Sequence, residues 1–289
     1  MNHTKEILSQ VKKLEFSTRH LVDGLLSGNY NSVFKGQGIE FSEIRDYRAG
    51  DDTRAIDWKV TARFNRPFIK EFIEERDLHV YFVIDMSGSG SFGTNISKKN
   101  KSFEIIASLM FAALRNNDKI GSFLITDSVE KFIPARAGRK HLLYSLGTIV
   151  SFTPRSVQTN LENALIHISK TIKRKSIVFV ISDFIDETKF LKPLKILRKR
   201  HDVIALKISD QRELEIPDVG LIELEDEETG EQILVDTSDV EFRDNYSNLI
   251  REKEKHLLSE LKKIRIDTVS MSTEQDYGVV LKKFFKKRR

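Results

Sequence analysis

Five side-chain oxygens carry the first chemical suggestion in this sequence. Asp85-Met86-Ser87-Gly88-Ser89 follows directly on the apolar run His79 to Ile84. In extended chain alternate residues project to the same side, so Asp85, Ser87 and Ser89 can aim one carboxylate and two hydroxyls at a single point. Further on, Thr159 stands in Gln158-Thr159-Asn160-Leu161, where a loop gives way to a helical pattern, and Asp183 ends the apolar run Ile177 to Ser182. Oxygen donors of this kind suit a hard divalent cation such as Mg2+, which takes ligands at ~2.0–2.1 Å in octahedral array; Mn2+ and Ca2+ are the other candidates. Each residue also has a structural use, the hydroxyls as caps or turn formers and Asp183 as a turn residue. The set of five, ordered on three loops, favours a metal site.

The elements that must position these oxygens follow from the pattern around them. From residue 79 onward, short runs rich in Val, Ile and Phe alternate with amphipathic stretches, as in a parallel sheet covered by helices. The runs are His79 to Ile84, Ile120 to Thr126, Ser176 to Ser182, Val203 to Ile208 and Ile266 to Met271. Between them Phe103, Ile106, Ala107, Met110 and Leu114, and again Leu161, Ala164, Leu165, Ile168 and Ile172, recur at helical spacing. Pro193 puts the start of the next helix near Lys192. Val129 to Pro134 reads as an antiparallel edge strand closed by its proline. Residues 220–236 read as a hairpin turning at Glu228-Thr229-Gly230, and Val240 to Lys263 as a long charged helix, together an insertion before the last strand. A helix with apolar Tyr277, Val280, Leu281, Phe284 and Phe285 ends the chain. The fold class is therefore α/β, a doubly wound and mostly parallel sheet, and the five oxygens lie on loops at its carboxyl edge, where such sheets bind ligands. Ahead of it stand an amphipathic helix (Ile7, Leu8, Val11, Leu14) and a charged stretch from Lys35 to Glu75.

Asp85-x-Ser87-x-Ser89, then Thr159, then Asp183 resembles the metal-ion-dependent adhesion site of von Willebrand factor A domains. Upstream, Gly38-Ile39-Glu40-Phe41, Arg45-x-Tyr47, Gly50-Asp51-Asp52-x-Arg54-x-Ile56-Asp57-Trp58 and Ala62-Arg63 resemble the bacterial family known as domain of unknown function 58, whose members carry a von Willebrand factor A-like domain. The resemblance implies residues 1–76 as an N-terminal helix with a family-specific extension, and 77–289 as the A-like domain with an insertion at about 210–263. It also implies metal ligation by Asp85, Ser87 and Ser89, with Thr159 joining in some states and Asp183 acting through water. Gly90 stands where many members have methionine, which leaves the hydroxyl ligands intact. A MoxR-type AAA+ ATPase as partner, in assembly or activation of other complexes, is implied by the same kinship.

One carboxylate and neutral hydroxyls leave a divalent ion with residual positive charge and an open position, which an acidic side chain of a partner protein can fill. The expected function is thus metal-dependent protein binding without enzymatic activity, since none of the 7 His falls in the metal-site loops to act as a base. A metal-dependent hydrolase in the same pocket is the alternative. A second is nucleic-acid binding through Lys282, Lys283, Lys286, Lys287, Arg288 and Arg289, although these lysines also suit a helix C-terminus.

Other motifs weigh less. Gly88-x-Gly90-x-x-Gly93 matches a dinucleotide fingerprint in spacing, but helical periodicity begins only near Phe103, too late to seat a pyrophosphate on a helix N-terminus. Asp51, Asp52 and Asp57, set among Arg45, Arg48, Arg54 and Arg63, read as caps and ion pairs rather than acid-base groups. Trp58 reads as packed against the sheet; exposed, it would suggest an interface anchor.

Composition agrees with an ordinary globular protein. The 289 residues are 39% hydrophobic and 31% charged, enough for a sizeable core. Cys is 0, which removes disulfides and thiolate ligands and gives no support to an oxidising compartment. The net charge of +5 is a small excess over 43 acidic residues and by itself does not point to nucleic acid. No run of ~18 apolar residues spans a bilayer and the N-terminus lacks the apolar core of a signal peptide, so a cytoplasmic location is expected.

Overall fold

The computed structural model describes residues 9–15, 18, 40–48, 50–73, 78–91, 97–225 and 230–288, and they fall into two units. One lies within residues 34–78. Its strands β1 (Glu40–Asp46) and β2 (Phe68–Ile73) pair antiparallel with a register shift between Phe41 and Glu43, and helix α1 (Trp58–Phe64) lies between them in sequence. The acidic residues here are structural, as expected. Asp51 takes both guanidinium nitrogens of Arg45 (2.8 and 3.0 Å) and the Arg48 N–H (2.7 Å), and those bonds hold its carboxyl down to about 2. Asp52 caps the turn Thr53–Ala55 and Asp57 caps α1 through the Lys59 and Val60 N–H groups. Trp58 departs from expectation: it opens α1 at 69% exposure, because the cap leaves the first turn of this short helix facing solvent.

The other unit holds the central sheet. Its elements in chain order are β3 (His79–Asp85), α2 (Lys98–Arg115), β4 (Lys119–Ile125), β5 (Val129–Arg136), α3 (Arg139–Val150), α4 (Leu161–Thr171), β6 (Ser176–Ser182), α5 (Leu191–Arg200), β7 (Asp202–Ser209), α6 (Gln211–Leu214), β8 (Leu221–Glu225), β9 (Gln232–Asp236), α7 (Val240–Lys263), β10 (Asp267–Ser272) and α8 (Tyr277–Lys287). Six strands form one sheet in the order β10-β7-β6-β3-β4-β5, parallel throughout except for the antiparallel edge strand β5. β8 and β9 form a separate antiparallel pair before the long helix; the tip Glu228-Thr229 lies outside the described residues. Of the first 33 residues, the described helical segment 9–15 belongs to this unit, with Val11 buried and Glu15 paired to Arg139 at 2.6 Å.

β3 is buried on both faces, as its unbroken apolar run requires. Tyr81 and Val83 join a core with α4, α5 and Leu261 of α7, while Val80, Phe82 and Ile84 alternate to the opposite face. There Phe82 stacks on its register partner Phe179 at 5.4 Å, and α8 meets α2 through the Tyr277 ring under the Lys101 ammonium. α3, with Leu142, Leu146 and Ile149 buried, was not expected from the sequence. Pro134 does not close β5, which runs on to Arg136; an edge strand tolerates a residue without N–H on its open side. α2 begins at Lys98, five residues before Phe103, under the Ser97 cap, and Gly88–Ser91 form a single 3-10 turn, so Gly88 and Gly90 do not open a long helix; Gly93 lies outside the described residues.

His201, where α5 meets β7, is 2% exposed, and neither ring nitrogen has a hydrogen-bond partner among the described residues. Burial, and then the Arg200 charge, push its pKa down to about 4. The fold therefore favours the neutral ring, while the unfolded chain takes up a proton below ~6.5; stability is lost as pH falls from there through the folded value. Between pH 7.5 and 4.5 the wild type should lose about 2–3 kcal/mol more than His201→Leu, read by urea denaturation at the two pH values. Parallel losses in both proteins would refute this assignment.

Candidate metal centre

Asp85 is the last residue of β3, and the chain turns immediately after it. Met86 N–H continues the sheet by donating to Ile125 O (2.9 Å), Ser87 N–H folds back onto Asp85 Oδ1 (3.1 Å), and Gly90 N–H reaches Ser87 O (3.2 Å). This compact turn brings the Ser87 and Ser89 hydroxyls to 3.3 Å from each other. The three residues thus share one loop, and a glycine on each side of Ser89 keeps that loop free of competing side chains.

The neighbouring strand β6 delivers the next groups. Ser182 Oγ donates to Asp85 Oδ2 at 2.7 Å and accepts from Phe184 N–H at 2.9 Å. Asp183 follows, buried at 8% exposure, and Phe184 with φ +58° turns the chain off the sheet. The third loop lies alongside. Gly88 N–H donates to Val157 O (2.8 Å) and Asn160 N–H to Thr126 O (3.1 Å), so Thr159 is held between two anchored residues on the same rim. The cap of α4 is Asn160, which accepts from Asn163 N–H, leaving half-buried Thr159 outside the helix.

Asp85 and Asp183 come from adjacent strands and feel each other. Burial first, and then the Asp183 charge, raise the Asp85 carboxyl to about 6, against the opposing bonds from Ser182 and Ser87. The donors on Asp85 are neutral, so its charge has no cation opposite it among its hydrogen-bond partners. That is the condition a bound cation relieves, and the surrounding hydroxyls are hard oxygen donors, so these residues fit a divalent ion. Among the described residues no group of three His, Cys, Asp or Glu side chains could hold a metal. The oxygens gathered at this rim are two carboxylates and neighbouring hydroxyls.

Reading the sequence alone missed three participants. In the sequence Ser182 marks only the end of an apolar run. Lys98 places Nζ 2.7 Å from Asp183 Oδ2 and also bonds Glu213 Oε1. Burial alone would lower the Lys98 pKa; the charges and hydrogen bonds of Asp183 and Glu213 outweigh it and hold the ammonium above its usual range. Glu213 had a local signal, since Asp210-x-x-Glu213 after β7 is a capping box, and both halves of it form.

Comparison with known proteins agrees with this architecture. The chain is 29% identical over 287 residues to an uncharacterised protein of Mycobacterium tuberculosis, Rv1480, covering 98% of this chain and 90% of that protein. It is 28% identical over 133 residues to the uncharacterised YeaD of Bacillus subtilis, covering 46% of this chain and 31% of that one. In fold it is similar to the crystal structure of the conserved hypothetical protein BatB from Bacteroides thetaiotaomicron, with a TM-score of 0.50 and 15% identity over 73% of this chain and 98% of that chain. An aerotolerance-related membrane protein from Bacteroides fragilis matches with the same TM-score at 14% identity, again over 73% and 98%. Among the described residues of the present protein no helix is long and apolar enough to cross a membrane. The sequence pattern of one family, described as protein of unknown function DUF58, matches residues 43–256, and the chain belongs to that family.

Proposed function

We propose that this protein is a divalent-metal-dependent protein-binding module, without catalytic activity of its own, built on a von Willebrand factor A-like domain. The ligands are Asp85, Ser87 and Ser89, with Thr159 and Asp183 completing the set. The observation that carries this reading is the convergence of Asp85 and Asp183 from adjacent strands, with Asp85 bonded only to neutral donors.

A bound divalent ion would supply an open position with residual positive charge for a carboxylate of the partner. The chain's own contribution is to hold the oxygens and limit how much charge they donate. Asp85 is fixed at both oxygens by Ser87 N–H and Ser182 Oγ, so it needs little reorganisation to ligate. Asp183 is engaged at Oδ1 by Ile185 N–H (3.1 Å) and at Oδ2 by Lys98, which favours action through water over direct bonding. The partner proposed from the family resemblance is a MoxR-type AAA+ ATPase contributing an acidic ligand, in the cytoplasm and without nucleic acid.

The test is binding of a purified MoxR-type ATPase to wild type and to Asp85→Ala, each in Mg2+ and in EDTA. Binding should occur only for wild type in Mg2+, with affinity down at least about 100-fold in the other three conditions, the loss of ~3 kcal/mol expected when a directly bonded charged group is removed. Equal affinity in all four conditions would overturn the reading.

A further inference from the structure

Lys98 occupies a position that local physics disfavours. It is the first residue of α2, where the exposed N–H groups repel positive charge, and no acidic residue lies in that first turn to offset it. It is also buried, at 3% exposure, which adds a desolvation cost. Only its long-range partners account for the placement. They are Asp183, 85 residues away in sequence, and Glu213, 115 residues away. Glu213 is itself held, because its other oxygen accepts the Asp210 N–H at 3.0 Å, and the Asp210 carboxylate is fixed by Thr273 Oγ1 at 2.6 Å and Arg212 N–H at 3.0 Å.

We propose that Lys98 is the resident counter-ion of the metal centre, an internal ammonium that keeps Asp183 from bonding the metal directly and leaves Asp85 as the one carboxylate able to do so. The proposal rests on the metal-binding reading given above. It follows from the contrast between the two aspartates. Asp85 receives only neutral donors, whereas Asp183 carries a formal cation on Oδ2. Charge balance points the same way. Of the two rim carboxylates, the ammonium offsets the charge of Asp183 and leaves that of Asp85 to the metal. Without the ammonium both carboxylates would set their charge against the metal, and the loaded centre would attract less strongly the acidic ligand it is meant to receive. Lys98 is thus a positioning residue that keeps the bound metal electrophilic.

The experiment is calorimetric titration of the full chain with Mn2+, using wild type, Lys98→Met, Lys98→Arg, Asp85→Ala and the double variant Lys98→Met/Glu213→Met. Lys98→Met should tighten Mn2+ binding by on the order of tenfold or more, since a neighbouring positive charge is lost and Asp183 is released to ligate. Lys98→Arg should keep the wild-type affinity, which a role in shape alone would not predict. The double variant removes one carboxylate together with the ammonium and so avoids stranding both acids if the single variant fails to fold; it should tighten binding as well. Adding Asp85→Ala should abolish binding in every background. Unchanged or weaker Mn2+ affinity in the folded Lys98 variants, with wild type binding through Asp85, would overturn the role of Lys98 alone. Absence of Mn2+ binding in wild type would overturn the metal reading and this proposal together, even if loss of Lys98 created binding.

Discussion

In EDTA, Lys98→Met is expected to lower the free energy of unfolding by about 3–5 kcal/mol, the cost of breaking a buried ion pair by removing one partner. Lys98 and Asp183 have side chains only 4% and 6% exposed, so water cannot readily replace the lost ammonium. The loss would consume much of the ~5–15 kcal/mol that keeps a typical domain folded. Two comparisons sharpen the measurement, which is urea denaturation at equilibrium. Lys98→Met/Glu213→Met should unfold at higher urea than Lys98→Met, because one of the two stranded carboxylates has gone. Lys101→Met should lose only about 1 kcal/mol, since the Lys101 ammonium sits 5.3 Å over the Tyr277 ring and its removal strands no acid. Mn2+ at 100 times its Kd should restore about 2.7 kcal/mol to Lys98→Met. A Lys98→Met protein within 1 kcal/mol of wild type would mean that the cluster of ammonium and two carboxylates is not closed to water.

Gly121→Val should cost about 3 kcal/mol or more, and Gly121→Ala about 1–3 kcal/mol, by overpacking the sheet face between β3 and β5. Gly121 lies opposite Tyr81 in the β3–β4 register, and the Tyr81 ring crosses above it to meet the Ala135 N–H of β5. A Cβ at position 121 would stand 2.6 and 2.8 Å from Tyr81 ring carbons and 2.9 Å from Ala135 N. The ring can swing aside, but the Ala135 backbone is held in the strand, so relief has to come from Tyr81. Tyr81→Leu in the Gly121→Ala background should therefore recover part of the loss, a coupling visible in a double-mutant cycle. Additive losses would show that the two positions do not press on each other.

Residues buried on both faces of the sheet were the easiest to read. Runs such as Ser176 to Ser182, apolar at every position between the two serines, correspond to β6 residue for residue, and Val240 to Lys263 likewise corresponds to α7. Elements touching the core on one side only were harder. α3 begins at Gly138 without a side-chain cap and buries only Leu142, Ser145, Leu146 and Ile149, so both its start signal and its stripe are weak. β1 escaped because the register shift between Phe41 and Glu43 breaks the alternation that marks a half-buried strand. In the candidate site, the contiguous Asp85, Ser87 and Ser89 were legible because their spacing is local. Lys98 was not, since its sequence neighbours describe a solvated basic turn and the groups that make it necessary lie on β6's exit and on α6.

The path from β7 to β10 has a consequence for how members of such a family can diverge. These strands are hydrogen-bonded neighbours, with Ser209 opposite Ser272, so the chain leaves the sheet after Ser209 and returns at Asp267 one strand away. Between them, from α6 through the β8–β9 ribbon to α7, the chain makes an excursion whose exposed parts, the ribbon first, can vary in length and composition without displacing the rim aspartates. Some residues in that excursion are not at liberty to drift: Leu261, which packs into the core, Asp210, and above all Glu213, which reaches back to Lys98. A graft that exchanged this cassette between relatives would keep its scaffold intact, yet would carry the ionic balance of the centre over only if the incoming segment brought its own acid to the same corner.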